Sequence, residues 1–223
     1  MYFGHFAIGA ALKAKGPDVP VLPIMIGVGL IDIIDGLFIM AGIDTVTPNL
    51  KALPYLFFDL KFIDWDHSLL MALIWSLLFG LIFWKNRKVA IFATIAAFSH
   101  FIVDIPMHNG DLALFPFSSA KIGMGIWGKY PYGSWFFEVA FSLLLLAYSW
   151  YKSHKQKINI LPQIIFLCLL MIQMSPWFSP MKNVAKLSEP YTHLLHGFLV
   201  SCGFLIPSLI FVYLYKRSSS HSV

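Results

Sequence analysis

The feature that most constrains this chain is a series of long apolar runs, each bounded by a short charged cluster. A helix needs about 20 apolar residues to cross a bilayer. Only 12% of the 223 residues are charged, against about 25% in soluble domains. The pattern predicts an all-α polytopic membrane protein. The predicted spans, about six in number, are Pro20–Gly42, Leu69–Trp84, Val89–Ile105, Ser134–Trp150, Ile160–Ser175 and Leu194–Tyr215.

A shorter apolar segment, Tyr2–Ala14, precedes these spans and is too short to cross a bilayer in full. The sequence Gly16-Pro17-Asp18-Val19-Pro20 then breaks the helix. The start of the chain lacks a basic residue, an apolar stretch and a small-residue cleavage site in that order, so we expect no cleavable signal peptide. With no internal repeat and no linker, residues 1–223 are predicted to form a single transmembrane domain.

The net charge of +5 does not indicate nucleic-acid binding, because the basic residues form neither a helical face nor a low-complexity tail. They lie at the ends of the apolar runs, in four clusters: Lys13 with Lys15, Lys85–Lys88, Lys152–Lys157, and Lys216 with Arg217. Six spans would place all four clusters on one side. The positive-inside rule makes that side cytoplasmic, together with both termini. Cys168 and Cys202 have no partner at metal or redox spacing and are read as small apolar residues.

Several ionisable residues lie inside the apolar runs, where each costs at least about 2.5 kcal/mol unless it is paired, hydrated or metal-bound. Asp32 and Asp35 are three residues apart and share a helix face. His100 and Asp104 are four apart and also share a face. His5 lies in the short first segment, and His67 opens the second span. A single one of these residues would usually be structural, but their number indicates a functional cluster.

Depth along the helices brings these residues together. At about 1.5 Å per residue from the nearest basic anchors or helix break, all six lie about 15 to 27 Å deep. Unshielded carboxylates gathered there would repel one another, and a divalent cation would remove that repulsion. The predicted metal ligands are His5, Asp32, Asp35, His67, His100 and Asp104. Mixed imidazole and carboxylate ligands favour Zn, with Mn or Fe as alternatives.

Four further residues are candidates for proton transfer or for orienting a ligand: Asp66, His108, Asp111 and Glu138. Each has an ordinary alternative as a loop or helix-packing residue. His193 and His196 share a face at the start of the last span and are a weaker metal candidate. His154 and His221 are expected to be solvated, and Asp44 is expected to serve a turn or cap.

The order of these motifs resembles a family of bacterial inner-membrane metal-dependent hydrolases, the group that includes the LexA-binding membrane-bound hydrolases. The matching motifs, all within residues 1–150, are Gly4-His5, Asp32-Ile33-Ile34-Asp35, Asp66-His67-Ser68 and His100-Phe101-Ile102-Val103-Asp104. The resemblance implies a metal site in the inner membrane. Many members carry Asp-x-Asp-His and a longer His-Arg-x-x-Thr-His-Ser, which this sequence lacks. The number of metal ions and the activity therefore remain open at this point.

Three functions fit these observations. The first is a membrane-embedded metallohydrolase acting on an ester or phosphoester of a lipid or lipid-linked substrate. The second is a small proton- or metal-coupled transporter, since intramembrane Asp and His residues also form ion paths. The third is a scaffold whose polar cluster holds helices together. Interhelical polar contacts average only about 0.6 kcal/mol, which is little compensation for so many buried ionisable groups.

Overall fold

Helices account for most of the fold, which we describe from a computed structural model covering residues 1–220; His221 lies outside the described residues. The helices are α1 (Phe3–Lys15), α2 (Val21–Met40), α3 (Asp64–His67), α4 (Leu69–Leu81), α5 (Arg87–Met107), α6 (Ile126–Lys129), α7 (Pro131–Lys155), α8 (Leu161–Gln173), α9 (Met181–Val184) and α10 (Tyr191–Ser220). Two short strands, β1 (Thr45–Pro48) and β2 (Phe58–Phe62), pair antiparallel. The all-α membrane class predicted from the apolar runs is confirmed.

Within residues 1–220, four helices are long and apolar enough to cross a membrane: α2, α5, α7 and α10. The expectation of about six full spans is therefore supported for four. The other two predicted spans correspond to α4 and α8, which have 13 residues each. At about 1.5 Å per residue such a helix is about 20 Å long, short of the roughly 30 Å hydrocarbon core. Turns follow both helices, at 82–86 after α4 and at 174–179 after α8, so the ends of these two predicted spans are not helical.

The first helix begins inside the bundle and does not cross it. α1 packs against α2, α5 and α7, and most of its residues are buried. A helix that is apolar all round is stable when neighbouring helices surround it. The polar residue His5 is thereby carried into the interior of the protein, where its exposed fraction is 0%.

The two helices that pack most extensively, α2 and α10, meet through glycines. A Cβ atom at Gly36 would lie 2.3 Å from the carbonyl oxygen of Gly197 and 2.6 Å from the backbone nitrogen of Ser201. A Cβ atom at Gly197 would lie 2.4 Å from the carbonyl oxygen of Gly36. Small residues allow membrane helices to approach this closely. The crossing lies one residue beyond Asp35, so it fixes how the paired aspartates face the interior.

The basic clusters gather at one end of the bundle. The Lys88 ammonium bonds both carboxylate oxygens of Asp18, at 2.7 and 2.6 Å. The Gln156 side chain donates to the carbonyl oxygen of Ala14 at 3.1 Å. The Lys13 ammonium lies 5.0 Å from the centre of the Tyr215 ring. These contacts bring the ends of α1, α7 and α10 together with the start of α5, as a common membrane side requires.

Candidate metal centre

Four separate helices carry the six predicted ligands. α1 supplies His5, α2 supplies the aspartate pair, α3 supplies His67, and α5 supplies His100 with Asp104. Five of the six are less than about a tenth exposed, and Asp32 has a 15% exposed side chain. His5 and Asp104, the first and last of these residues in the sequence, are 99 positions apart, and the structure brings them together.

His100 lies between two carboxylates. Its Nε2 atom is 3.1 Å from Oδ2 of Asp104 and 3.3 Å from Oδ2 of Asp32. Its Nδ1 atom is 2.8 Å from the carbonyl oxygen of Val28. Because that oxygen can only accept, Nδ1 carries a proton and donates, and Nε2 is the ring nitrogen that faces the carboxylates. A metal-ligating histidine is held in this way by a backbone carbonyl or a carboxylate.

His67 is oriented by its sequence neighbour. Its Nδ1 atom is 2.7 Å from Oδ2 of Asp66, which is fully buried. Its Nε2 atom is 3.4 Å from Oδ1 of Asp32. A carboxylate that bonds the far nitrogen of a histidine fixes the tautomer and raises the basicity of the ligating nitrogen. Asp66, predicted from the sequence as a catalytic group, thus lies where it would position His67.

His5 stacks on His100. The two ring centres are 3.7 Å apart and the ring planes differ by 6°. The Nε2 atom of His5 is 3.4 Å from Oδ1 of Asp104. Neither ring nitrogen of His5 has a hydrogen-bond partner among the described residues, and the same holds for Nε2 of His100. Buried polar atoms without partners are uncommon, so these nitrogens fit a cation better than they fit a purely structural cluster.

His108 joins the same cluster from the end of α5. Its Nε2 atom is 3.9 Å from Oδ2 of Asp104, and its Nδ1 atom is 3.3 Å from Oδ2 of Asp111. The ring of His108 lies 5.6 Å from that of His67, at an angle of 27°. We expected His108 and Asp111 to move protons; the structure places His108 within reach of the ligand set as well.

Four overlapping sets of donor atoms lie close enough to hold an ion, with all ligand atoms in a set within 4.8 Å of one another. They are His5, His100 and Asp104; Asp32, His67 and His100; His67, Asp104 and His108; and Asp35, Asp66 and His67. Two atoms that each bond one zinc ion at about 2.1 Å lie at most about 4.2 Å apart. The nitrogen-to-oxygen distances within the first two sets, from 3.1 to 3.4 Å, meet that limit, and so does the 3.9 Å between His108 and Asp104 in the third.

Asp44 is a residue that sequence reasoning missed. It follows α2 in a turn, yet it is buried at 4% exposure, and neither carboxylate oxygen has a hydrogen-bond partner among the described residues. Burial, together with the nearby charge of Asp66, raises the pKa of Asp44 to about 9. Its position, four residues beyond the span that carries Asp32 and Asp35, was the available signal. A loop carboxylate is ordinarily solvated, so the sequence favoured a turn or cap.

Glu138 lies on α7, outside the four donor sets. Its Oε1 atom accepts from the backbone nitrogens of Tyr2 and Gly4, at 2.6 and 3.0 Å. Its Oε2 atom accepts from the Tyr55 hydroxyl at 2.7 Å. The first backbone N–H groups of a helix lack intrahelical partners, and Glu138 satisfies two of them at the start of α1. Its contacts are therefore those of a group that holds α1 in place.

The remaining histidines of the last span lie apart from the cluster. His193 bonds Oε2 of Glu189 at 2.6 Å near the surface. His196 is buried, with its ring centre 3.9 Å from that of Phe58.

The amino group of Met1 bonds Oδ1 of Asp104, so a positive charge already lies against that carboxylate.

A cavity of about 370 Å³ adjoins the cluster. Four polar residues of the site reach its wall: Asp32, Asp35, His67 and His108. Most of the remaining wall is apolar, from the segment at residues 55–63, α8 and α10. A compound held in this cavity would lie against the candidate ligands.

Comparison with known proteins gives one match. A family model described as YdjM inner membrane protein matches residues 1–179. That range includes every predicted ligand and proton-transfer residue. The match confirms the expectation of an inner-membrane protein family, while the hydrolase and LexA-binding character of the resemblance is not part of it. Searches of curated proteins and of solved structures find no match.

Proposed function

The chain belongs to the YdjM inner membrane protein family, and on that premise we propose that it is a membrane-embedded metal-dependent hydrolase. Its substrate is an ester or phosphoester of a lipid or lipid-linked molecule. One observation supports the proposal above others: ring nitrogens from three helices converge on two carboxylates, those of Asp32 and Asp104. His5 lies 3.4 Å from Asp104, His67 lies 3.4 Å from Asp32, and His100 lies within 3.3 Å of both.

A cation accounts for this cluster better than a structural role does. Buried imidazoles without hydrogen-bond partners cost free energy, and so do neighbouring carboxylates. Two of the rings are already held through Nδ1, His100 by Val28 and His67 by Asp66, and both turn Nε2 toward the Asp32 carboxylate. Such preorganisation is typical of ligating histidines. Three imidazoles with two carboxylates favour Zn, with Mn or Fe as alternatives.

The bound ion would supply a water whose pKa is lowered toward 7 and would polarise the scissile bond. His5, His67, His100, Asp32 and Asp104 are the residues that would hold it. His108 lies at the edge of this set and also lines the cavity.

A residue that transfers a proton to the substrate must lie near the cavity. For a histidine, a partner at the second ring nitrogen holds the ring in position. The Nδ1 atom of His108 lies 3.3 Å from the Asp111 carboxylate, while its Nε2 atom faces the cluster. We assign His108 and Asp111 the transfer of a proton to or from the substrate. Asp35 lines the cavity beside them, with one carboxylate oxygen that lacks a partner among the described residues.

We further infer that the basic end of the bundle faces the cytoplasm, as the positive-inside rule predicts. In this arrangement α4 and α8, each extended by the turn that follows it, bring the number of membrane crossings to six. The metal centre lies away from this end, because His5 is ten residues before Lys15 along α1.

Elemental analysis of the purified protein tests the proposal. We expect close to one equivalent or more of a transition metal that survives gel filtration, and hydrolysis of a lipid ester or phosphoester that stops on chelation and returns on adding the metal. Protein without bound transition metal, after expression in metal-supplemented medium, would end the hydrolase proposal.

A further inference from the structure

The cavity beside the cluster has a wall that is polar on one side and apolar on the other. Its polar part is formed by the site residues Asp32, Asp35, His67 and His108. Its apolar part extends between α8 and α10, under a roof that includes Leu56, Leu60 and Ile63. Its volume of about 370 Å³ falls within the roughly 300–1,000 Å³ of ligand pockets, which combine an apolar wall with a few polar groups.

Two facing stripes form the apolar part. α8 contributes Phe166, Leu170 and Gln173 from one helix face, followed by Met174 at its end, and α10 contributes a stripe from His196 to Ile210. At the basic end the two helices are joined, since the Gln163 side chain donates to the Ser218 hydroxyl at 3.2 Å. Around the cavity they are separated by the empty volume. The two helices therefore enclose a slot that is closed at one end.

The slot opens sideways. Ile206 and Ile210 line the cavity, are 52% and 38% exposed, and lie on a helix long and apolar enough to cross a membrane. Gln173 faces them from α8 and is likewise exposed. Because α10 crosses the membrane, exposed apolar residues along it face lipid hydrocarbon. The cavity is thus continuous with the bilayer interior.

We propose that this slot, the α8–α10 gate, admits a hydrocarbon chain of a bilayer lipid and holds it with the ester or phosphate group at the metal centre. The proposal rests on the hydrolase function above for the fate of the head group, but not for binding of the chain. An apolar wall that opens to hydrocarbon suits a chain and offers a water-soluble substrate few partners.

Phe204 determines how far the chain can reach. It lines the cavity and packs on the stacked imidazoles, with its ring centre 5.9 Å from that of His5 and 6.0 Å from that of His100. The chain therefore lies over Phe204, while Asp32 and His67 remain open to the cavity beside it. This arrangement separates the apolar part of the substrate from its reacting group.

Photo-crosslinking in vesicles tests the gate. The protein is reconstituted in phosphatidylethanolamine and phosphatidylglycerol containing a phospholipid with a diazirine in its acyl chain. After irradiation, mass spectrometry maps the adducts. We expect adducts on the cavity residues Leu170 and Cys202, several-fold above those on Cys168, the cysteine of α8 that does not line the cavity.

Two tryptophan variants on α10 make the comparison specific. Ile206→Trp fills the mouth of the gate, whereas Leu209→Trp changes a residue of similar exposure, 47%, that does not line the cavity. We expect the cavity adducts to fall several-fold in I206W and to stay at the wild-type level in L209W. Equal metal content and equal gel-filtration profiles show that both variants are folded.

Adducts confined to outward-facing residues such as Leu144 and Leu169 would overturn the gate, and so would cavity adducts unchanged in I206W. Metal content, measured on the same samples, separates the two proposals. Bound metal without cavity adducts leaves the hydrolase and overturns the gate. Cavity adducts without bound metal support the gate and end the hydrolase.

Discussion

His5 and His100 lie with parallel imidazole rings 3.7 Å apart, and the Nε2 atom of each faces an oxygen of the Asp104 carboxylate. One ring comes from the partial helix α1 and the other from a full span. Two positively charged imidazoles would repel each other at this distance. The cation that we propose would instead be held between the two Nε2 atoms and the Asp104 carboxylate, and this arrangement motivates the first prediction.

Removing a ring of this pair should remove the metal. His100→Ala deletes a nitrogen that lies 3.3 Å or less from two carboxylates. We expect metal content to fall to the background of the purification, measured by elemental analysis of the variant beside wild type. His193→Ala is the matched control, because the His193 ring bonds the exposed Glu189 near the surface and belongs to none of the four donor sets; it should keep the metal. Full metal content in His100→Ala would contradict the ligand assignment.

Asp66 should affect affinity rather than occupancy. Asp66→Asn keeps the size of the side chain but weakens the 2.7 Å bond to Nδ1 of His67. Changes of such supporting groups cost about 10- to 100-fold in metal affinity. Competition with a chromogenic chelator measures the change. An unaltered affinity would show that Asp66 does not orient His67.

Glu138 should matter for stability. Glu138→Gln replaces a carboxylate that accepts hydrogen bonds from the backbone N–H groups of Tyr2 and Gly4 and from the Tyr55 hydroxyl. Leaving buried donors poorly satisfied costs about 1–3 kcal/mol, so we expect a lower midpoint of thermal unfolding in detergent. Glu189→Gln, at an exposed carboxylate, should leave the midpoint unchanged. Complete loss of turnover in Glu138→Gln with unchanged stability would instead favour a catalytic role.

Metal affinity should increase with pH. Imidazole ligands bind a metal only when unprotonated, and their ordinary pKa is about 6.5. Lowering the pH through this range adds protons that compete with the ion, so affinity falls on the acid side and levels off above it. Titration of the metal at several pH values measures this dependence. Affinity that does not fall at any acid pH at which the protein stays folded would contradict histidine ligands.

The glycine crossing should control the geometry of the site. Gly36→Ala places a Cβ atom 2.3 Å from the Gly197 carbonyl oxygen, so α2 and α10 must move apart. We expect lower stability and weaker metal binding, because the proposed ligand Asp32 lies about one helical turn before this position on α2. Gly42→Ala offers no equivalent clash, since nothing lies within 4 Å of a Cβ atom there, although its φ of +71° adds backbone strain. Gly110→Ala, which has neither clash nor positive φ, is the cleaner control.

Sequence reasoning failed where the outcome depended on how ends and loops fold back. The apolar runs that contain α4 and α8 predict full membrane spans, but in the structure each helix ends after 13 residues. Helix ends depend on tertiary contacts that composition does not contain. Asp44 was assigned to a turn, although the fold buries it near Asp66.

The sequence by itself determined the membrane class, the positions of the apolar helices and which ionisable residues lie within or beside the apolar segments, because lipid imposes one strict rule of length and polarity on each segment. Only the tertiary structure decided which of these residues meet and what each one faces. It turned His108 toward Asp104, bonded Glu138 to the start of α1, and opened the cavity between α8 and α10. The physical reason is that helix crossing angles and rotations are set by close packing between distant segments, as at Gly36 and Gly197.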